Sequence, residues 1–171
     1  MLQIVVAVLF WIPSATQERP GIRVSDLEQK INTLVNSERQ SRNVKALVFD
    51  EHLSQIARAH SQDMVNRDFF SHVNPDGKAP RDRIRLAGYN CPRTVGENIF
   101  QNNLYSRVTI SGNRKSYDWN SLDRIADSTV AGWMRSSGHR QNILQRAYSR
   151  TAVGVAVSGD GRVYITQLFC G

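Results

Sequence analysis

Apolar side chains recur at helical spacing in several stretches of the chain and at alternate positions near its end. Leu27, Ile31, Leu34 and Val35 would line one face of a helix. Ser25-Asp26-Leu27-Glu28 reads as a capping box, so the pattern predicts a first helix from Ser25 to about Gln40. Polar residues from Ser41 to Lys45 interrupt it. Asp50 then offers a side-chain cap to a second helix, ending near Asp68, with Leu53, Ile56, Ala57, His60 and Met64 on one face. Pro80 suits the first turn of a short helix that turns Ile84 and Leu86 inward, and Gly88 suits its C-terminal end. Ser121 caps a fourth helix carrying Leu122, Ile125, Ala126, Thr129, Val130 and Trp133 on one face. Gly138 closes that helix, and His139 to Leu144 adds a further turn.

The period changes after Arg150. Val153, Val155 and Val157 alternate, Gly159-Asp160-Gly161 turns the chain, and Val163 to Phe169 returns, which predicts a hairpin. Arg107 to Ser111 before Gly112-Asn113 reads as a short strand, and Cys91 to Asn103 as mostly loop. Helical segments around two or three strands define an α+β layered architecture with one domain and no internal repeat. At 171 residues, 40% hydrophobic and 22% charged, the chain has the size and composition of one packed core rather than of a disordered segment.

The first residues stand apart. Met1 to Ile12 holds no charged side chain, and Pro13, Ser14, Ala15 and Thr16 follow. This is the pattern of a signal peptide over residues 1–17, with a linker over 18–24 and the folded domain over 25–171. The apolar run falls short of the roughly 18 residues of a spanning helix, which leaves an N-terminal membrane anchor as the lesser alternative. Export would place Cys91 and Cys170 in an oxidising compartment, where an even count favours a disulfide between them. The net charge of +7 invites a nucleic-acid role. The arginines are scattered over different elements without a recognition motif, so no specific nucleic-acid partner is expected, only weak attraction to anionic polymers or headgroups.

Four histidines are the candidates for chemistry. His52 falls near a helix start, and His60 on an apolar helix face reads as a hydrogen-bonded core residue. His72 follows Phe69-Phe70 in a segment of turn formers, and His139 follows Ser137-Gly138, so both sit where loops present functional groups. Two neutral imidazoles and a carboxylate can hold a divalent cation and leave a position for water. The spacing does not by itself bring them together.

Phe70-Ser71-His72 with Pro75-Asp76-Gly77, Ala87-Gly88-Tyr89, Gly96-Glu97-Asn98-Ile99, Gly132-Trp133 with Ser137-Gly138-His139-Arg140-Gln141-Asn142, and Gly154-Val155 with Tyr164-Ile165-Thr166-Gln167 occur in this order. Together they resemble the CAP/SCP superfamily of cysteine-rich secretory, antigen 5 and pathogenesis-related proteins, most of all its prokaryotic branch, from about Leu34 to Phe169. The resemblance implies a three-layer α-β-α sandwich with a cleft lined by two histidines and two acids. It assigns His72 and His139 as ligands for Zn²⁺ or another divalent cation. Glu97 becomes the first acid, with Asn98 beside it in the cleft. Where the family tends to have Trp-x-x-Glu, Trp133-Met134-Arg135-Ser136 places a neutral Ser136, and one fewer anion weakens the hold on a cation.

The expected function is that of a secreted binding module for an extracellular lipid, glycan or peptide. The alternative is a metal-dependent hydrolase with Glu97 as catalytic base, although His-Glu-x-x-His and Gly-x-Ser-x-Gly signatures are absent from the sequence. The same histidines and Glu97 also suit a buried polar clasp between helices and sheet.

Overall fold

The computed structural model describes residues 21–171, so the predicted signal peptide and the first three residues of the linker lie outside the described residues. The central sheet has four strands in the order β1-β5-β6-β2, where β1 is Val48–Phe49, β2 Val95–Asn103, β5 Arg150–Val157 and β6 Arg162–Cys170. β1 pairs parallel with β5, and the other neighbours are antiparallel. A separate hairpin joins β3, Tyr105–Ser111, to β4, Arg114–Trp119.

Alternation along the central strands assigns the two faces. Val153, Val155, Val163, Ile165 and Phe169 pack with buried residues of α1 (Val24–Gln40), α4 (Leu122–Arg135) and α5 (Ser137–Leu144). Ala152, Leu168 and Cys170 face α2 (Glu51–Asn66) and α3 (Pro80–Leu86) through Leu53, Ile56, Ala57 and Ile84. The result is the α-β-α sandwich, with both sheet faces covered. At Gly154 the strand passes against the backbone of α2: a Cβ there would collide with Ala57 and Arg58. Cys91 and Cys170 are disulfide-bonded, tying the end of β6 to the segment before β2.

Four expectations need correction. Of the two residues expected to turn inward on α3, only Ile84 is buried, while Leu86 is 66% exposed. The capping box at Ser25 does not form, because α1 already begins at Val24 with Arg23 as its cap residue. Glu28 is buried instead, where its carboxylate accepts two bonds of 2.7 Å from Arg58 and one of 3.0 Å from the Val155 N–H. It therefore closes the edge of β5 beyond the short β1 and links α1 to α2. Gly138 lies inside α5 rather than ending α4, which stops at Arg135 where Ser136 turns extended.

The segment from Cys91 to Asn103, expected to be loop, contains nine-residue β2. Its sequence, Val-Gly-Glu-Asn-Ile-Phe-Gln-Asn-Asn, hides the strand because polar side chains occupy buried positions on both faces. β2 is an edge strand, and helices on one side satisfy its outward carbonyls. Asn142 Nδ2 donates to Glu97 O at 3.0 Å, and the Trp133 indole donates to Ile99 O at 3.1 Å. Such covering of a sheet edge blocks pairing with another chain.

Candidate functional site

The polar cluster is built around this edge. Register pairs Glu97 with Leu168 and Asn98 with Gln167, so Glu97 faces the α2/α3 layer and Asn98 the α4/α5 layer. Gly96 before them is required by close approach, since a Cβ would collide with the Tyr148 hydroxyl.

Glu97 has a side chain 2% exposed, and both of its oxygens are occupied. Oε1 accepts from His72 Nδ1 at 2.8 Å, and Oε2 accepts from the Arg83 guanidinium. Arg83, itself 10% exposed, also donates to the His72 carbonyl at 2.7 Å and to Lys78 O at 2.9 Å. One guanidinium thus neutralises the buried carboxylate and fixes the loop that carries His72. Because a carboxylate only accepts, the His72 Nδ1 carries the hydrogen, which leaves Nε2 to project from a ring that is 48% exposed. A histidine oriented by a carboxylate is the arrangement that supports metal-ligating imidazoles elsewhere.

His139 reaches the cluster from the opposite layer. Its carbonyl accepts from Asn98 Nδ2 at 3.3 Å, and Asn98 Oδ1 accepts from Asn142 at 2.9 Å. Behind it, the buried Arg39 donates to Ile143 O at 2.6 Å and Gln145 O at 3.0 Å, capping the C-terminal end of α5. Burial first, and the charge of nearby His72 second, push the His139 imidazole below its ordinary range. The two histidines therefore come from different layers on either side of β2. Ser136 sits half-buried at the α4–α5 junction, where its backbone N–H bonds to Gly132 and Trp133.

Among the described residues no three His, Cys, Asp or Glu side chains are grouped to hold a metal ion. The donor set accordingly offers two imidazoles and no free carboxylate, since Glu97 is spent on His72 and Arg83. Arg83 and Asn142 were not anticipated. Asn142 had a signal in its place three residues after His139, whereas Arg83 had none that separated it from Arg81 and Arg85.

An α-β-α sandwich with a histidine and carboxylate cluster at a helix-covered sheet edge defines a class, and residues 33–169 match the cysteine-rich secretory protein family, CAP. The chain belongs to this family. It is 34% identical over 148 residues to the Bacillus subtilis protein YkwD, covering 86% of this chain and 48% of YkwD, so it spans about half of that relative. An extracellular SCP-domain protein from Bacillus anthracis superposes with a TM-score of 0.63 at 27% identity, covering 85% of this chain and 40% of that one. An outer surface protein from Borrelia burgdorferi gives 0.66 at 15% identity, covering 87% and 95%. The bacterial relatives support the prokaryotic branch. No helix among the described residues is long and apolar enough to cross a membrane.

Proposed function

We propose that this protein is a secreted binding module whose cleft at the β2 edge, between His72 and His139, recognises an extracellular lipid, glycan or peptide. The carrying observation is that Glu97 is 2% exposed with each oxygen bound to a neighbouring side chain. A general base must lie within reach of substrate or water. Here one carboxylate oxygen accepts from His72 and the other from Arg83, so the group best suited to a hydrolase is engaged in holding the loop. What the edge offers for recognition is the Nε2 of the exposed His72 ring and the half-buried imidazole of His139, which burial keeps in its neutral form.

The same imidazoles fit a weak divalent-cation site completed by solvent or by the ligand. A cation held there would supply Lewis acidity to a bound oxygen. The chain's own part is to orient His72 through Glu97 and to exclude protons from His139 through burial. Extracellular relatives and the disulfide support secretion.

Calorimetry with Zn²⁺, followed by lipid-vesicle, glycan and peptide-library binding with and without the metal, tests the reading. Saturable ligand binding that the His72→Ala, His139→Ala pair abolishes is the expected result. Metal-dependent peptide hydrolysis lost in Glu97→Gln would replace the binding module by the hydrolase.

A further inference from the structure

The β3–β4 hairpin forms its own two-stranded sheet, outside the four-stranded one, and carries a face that the cleft does not use. Cross-strand register sorts its side chains. Tyr105 opposes Trp119, Val108 opposes Tyr117 and Ile110 opposes Lys115, so strand alternation, with the bulge after Tyr105, puts these six on one face. Arg107 with Asp118, Thr109 with Ser116 and Ser111 with Arg114 fill the other. A largely apolar face thus backs onto a wholly polar one.

Exposure along the apolar face rises from base to tip. Tyr105 and Trp119 pack against the core, and Tyr117 stacks on Trp119 with ring centres 4.9 Å apart. Val108 and Tyr117 are partly buried, while Ile110 is 66% exposed. Among the described residues neither Val108 nor Ile110 belongs to an apolar core cluster. A two-stranded hairpin is marginal in water on its own, so this one gains from a surface that covers its apolar end.

Charge indicates what that surface is. Arg114 and Lys115 flank the turn at Gly112-Asn113, both exposed, and Lys115 stands directly across from Ile110. Arg107 lies 4.0 Å from Asp118, the one acid on the hairpin. Asp160, beside the aromatic base, is held by Arg162 at 2.9 Å. The hairpin therefore sets three cations against one anion, on a chain of net charge +7. An apolar tip flanked by cations, with aromatic rings behind it, matches the boundary between headgroups and acyl chains of an anionic bilayer. Depth is limited, because the outer edges of β3 and β4 carry N–H and C=O groups that hydrocarbon would leave unpaired, so the tip reaches headgroup level and no deeper. A protein partner would use the apolar face without the cations, and a soluble polyanion the cations without Ile110. We infer that the β3–β4 hairpin docks the domain on an anionic lipid surface, with Ile110 in the interface and Arg114 and Lys115 at the headgroup phosphates.

The test is co-sedimentation of the full, disulfide-bonded chain with vesicles of phosphatidylglycerol and phosphatidylcholine in equal parts, and with phosphatidylcholine alone. In parallel, an environment-sensitive dye on Asn113→Cys reports on the tip. Retention on the anionic vesicles that falls at high salt, with a blue shift of the dye, is expected. Each cation is worth about fivefold in binding, so Arg114→Ser, Lys115→Ser together lower it about 25-fold. Ile110→Ser lowers it about tenfold. All three positions are exposed, and unchanged thermal melting checks that the variants fold. The His72→Ala, His139→Ala pair keeps vesicle binding, which separates this face from the edge cleft. The inference is overturned by a dye that does not respond, by equal retention on neutral vesicles, or by retention that survives the tip variants and so comes from another segment. Polyphosphate binding that equals vesicle binding and ignores Ile110→Ser would assign the hairpin to a soluble polyanion instead. Dimers in ultracentrifugation that Ile110→Ser dissolves would assign it to a second copy of the chain, and either result also overturns the inference.

Discussion

Removing the guanidinium of Arg83 tests the organisation of the edge cluster most directly. In Arg83→Met the buried Glu97 carboxylate, 2% exposed, retains His72 as its one partner. Breaking a buried ion pair from one side costs about 3–5 kcal/mol, because the remaining charge is left without its counter-charge. The bonds to the His72 and Lys78 carbonyls go as well, but those acceptors lie in an exposed loop that water can reach, so they add little. Against a total stability of about 5–15 kcal/mol, the variant folds but melts about 10 °C lower. Glu97→Gln leaves Arg83 unmatched, yet that side chain is closer to solvent, so about 1–3 kcal/mol is expected. The double variant Arg83→Met, Glu97→Gln should lose less than the sum, with a coupling of about 2 kcal/mol or more. Urea unfolding of the four proteins measures the cycle. Additive losses, or a loss under about 1 kcal/mol in Arg83→Met, would refute the view that Arg83 neutralises Glu97.

Further outcomes follow from other contacts. Replacing Cys91 and Cys170 by Ala opens a loop of 79 residues and should cost about 4.5 kcal/mol by chain entropy, read from the shift in urea midpoint. Gly154→Ala drives a methyl into the backbone of α2 at Ala57 and Arg58, so a loss of about 3 kcal/mol or more is expected by thermal melting, where an exposed Gly→Ala would be neutral. Burial holds His60 and His139 below the ordinary imidazole range, so the unfolded chain binds more protons below about pH 6.5. Stability contributed by these groups is therefore complete above that pH and falls as pH drops through it, by at most about 1.4 kcal/mol per unit for each histidine. Urea midpoints that stay level from neutral to mildly acidic pH, or a His60→Phe variant with undiminished slope, would contradict this.

What could be read from the chain depended on whether one face of an element is uniformly apolar. α2, α4 and the β5–β6 hairpin show clearer periods because most of their inward residues are apolar, with buried Ser54, His60, Ser61, Thr129, Thr166 and Gln167 as the exceptions. β2 does not, because Glu97 and Asn98 sit buried on opposite faces to serve the polar cluster, and the alternation that signals a strand is lost where the site is built. Glu28 looked like a capping residue because its spacing from Ser25 is local, whereas its true partner, Arg58, lies 30 residues away. The family motifs marked His72, Glu97 and His139, of which the first two meet directly and the third joins through its carbonyl, which accepts from Asn98. Arg83 was illegible, since Arg81, Arg83 and Arg85 differ only in which way a short helix turns them.

Strand β6 lies between β5 and β2 and bonds to both, although it is the last of the described elements in sequence. During synthesis, β2 emerges with its carboxylate and amide long before the strand that will support it. The nascent domain must therefore wait, with the β2 segment unpaired, until residues 162–170 have been synthesised. Only then can Cys170 reach Cys91, so bond formation reports completion of the fold.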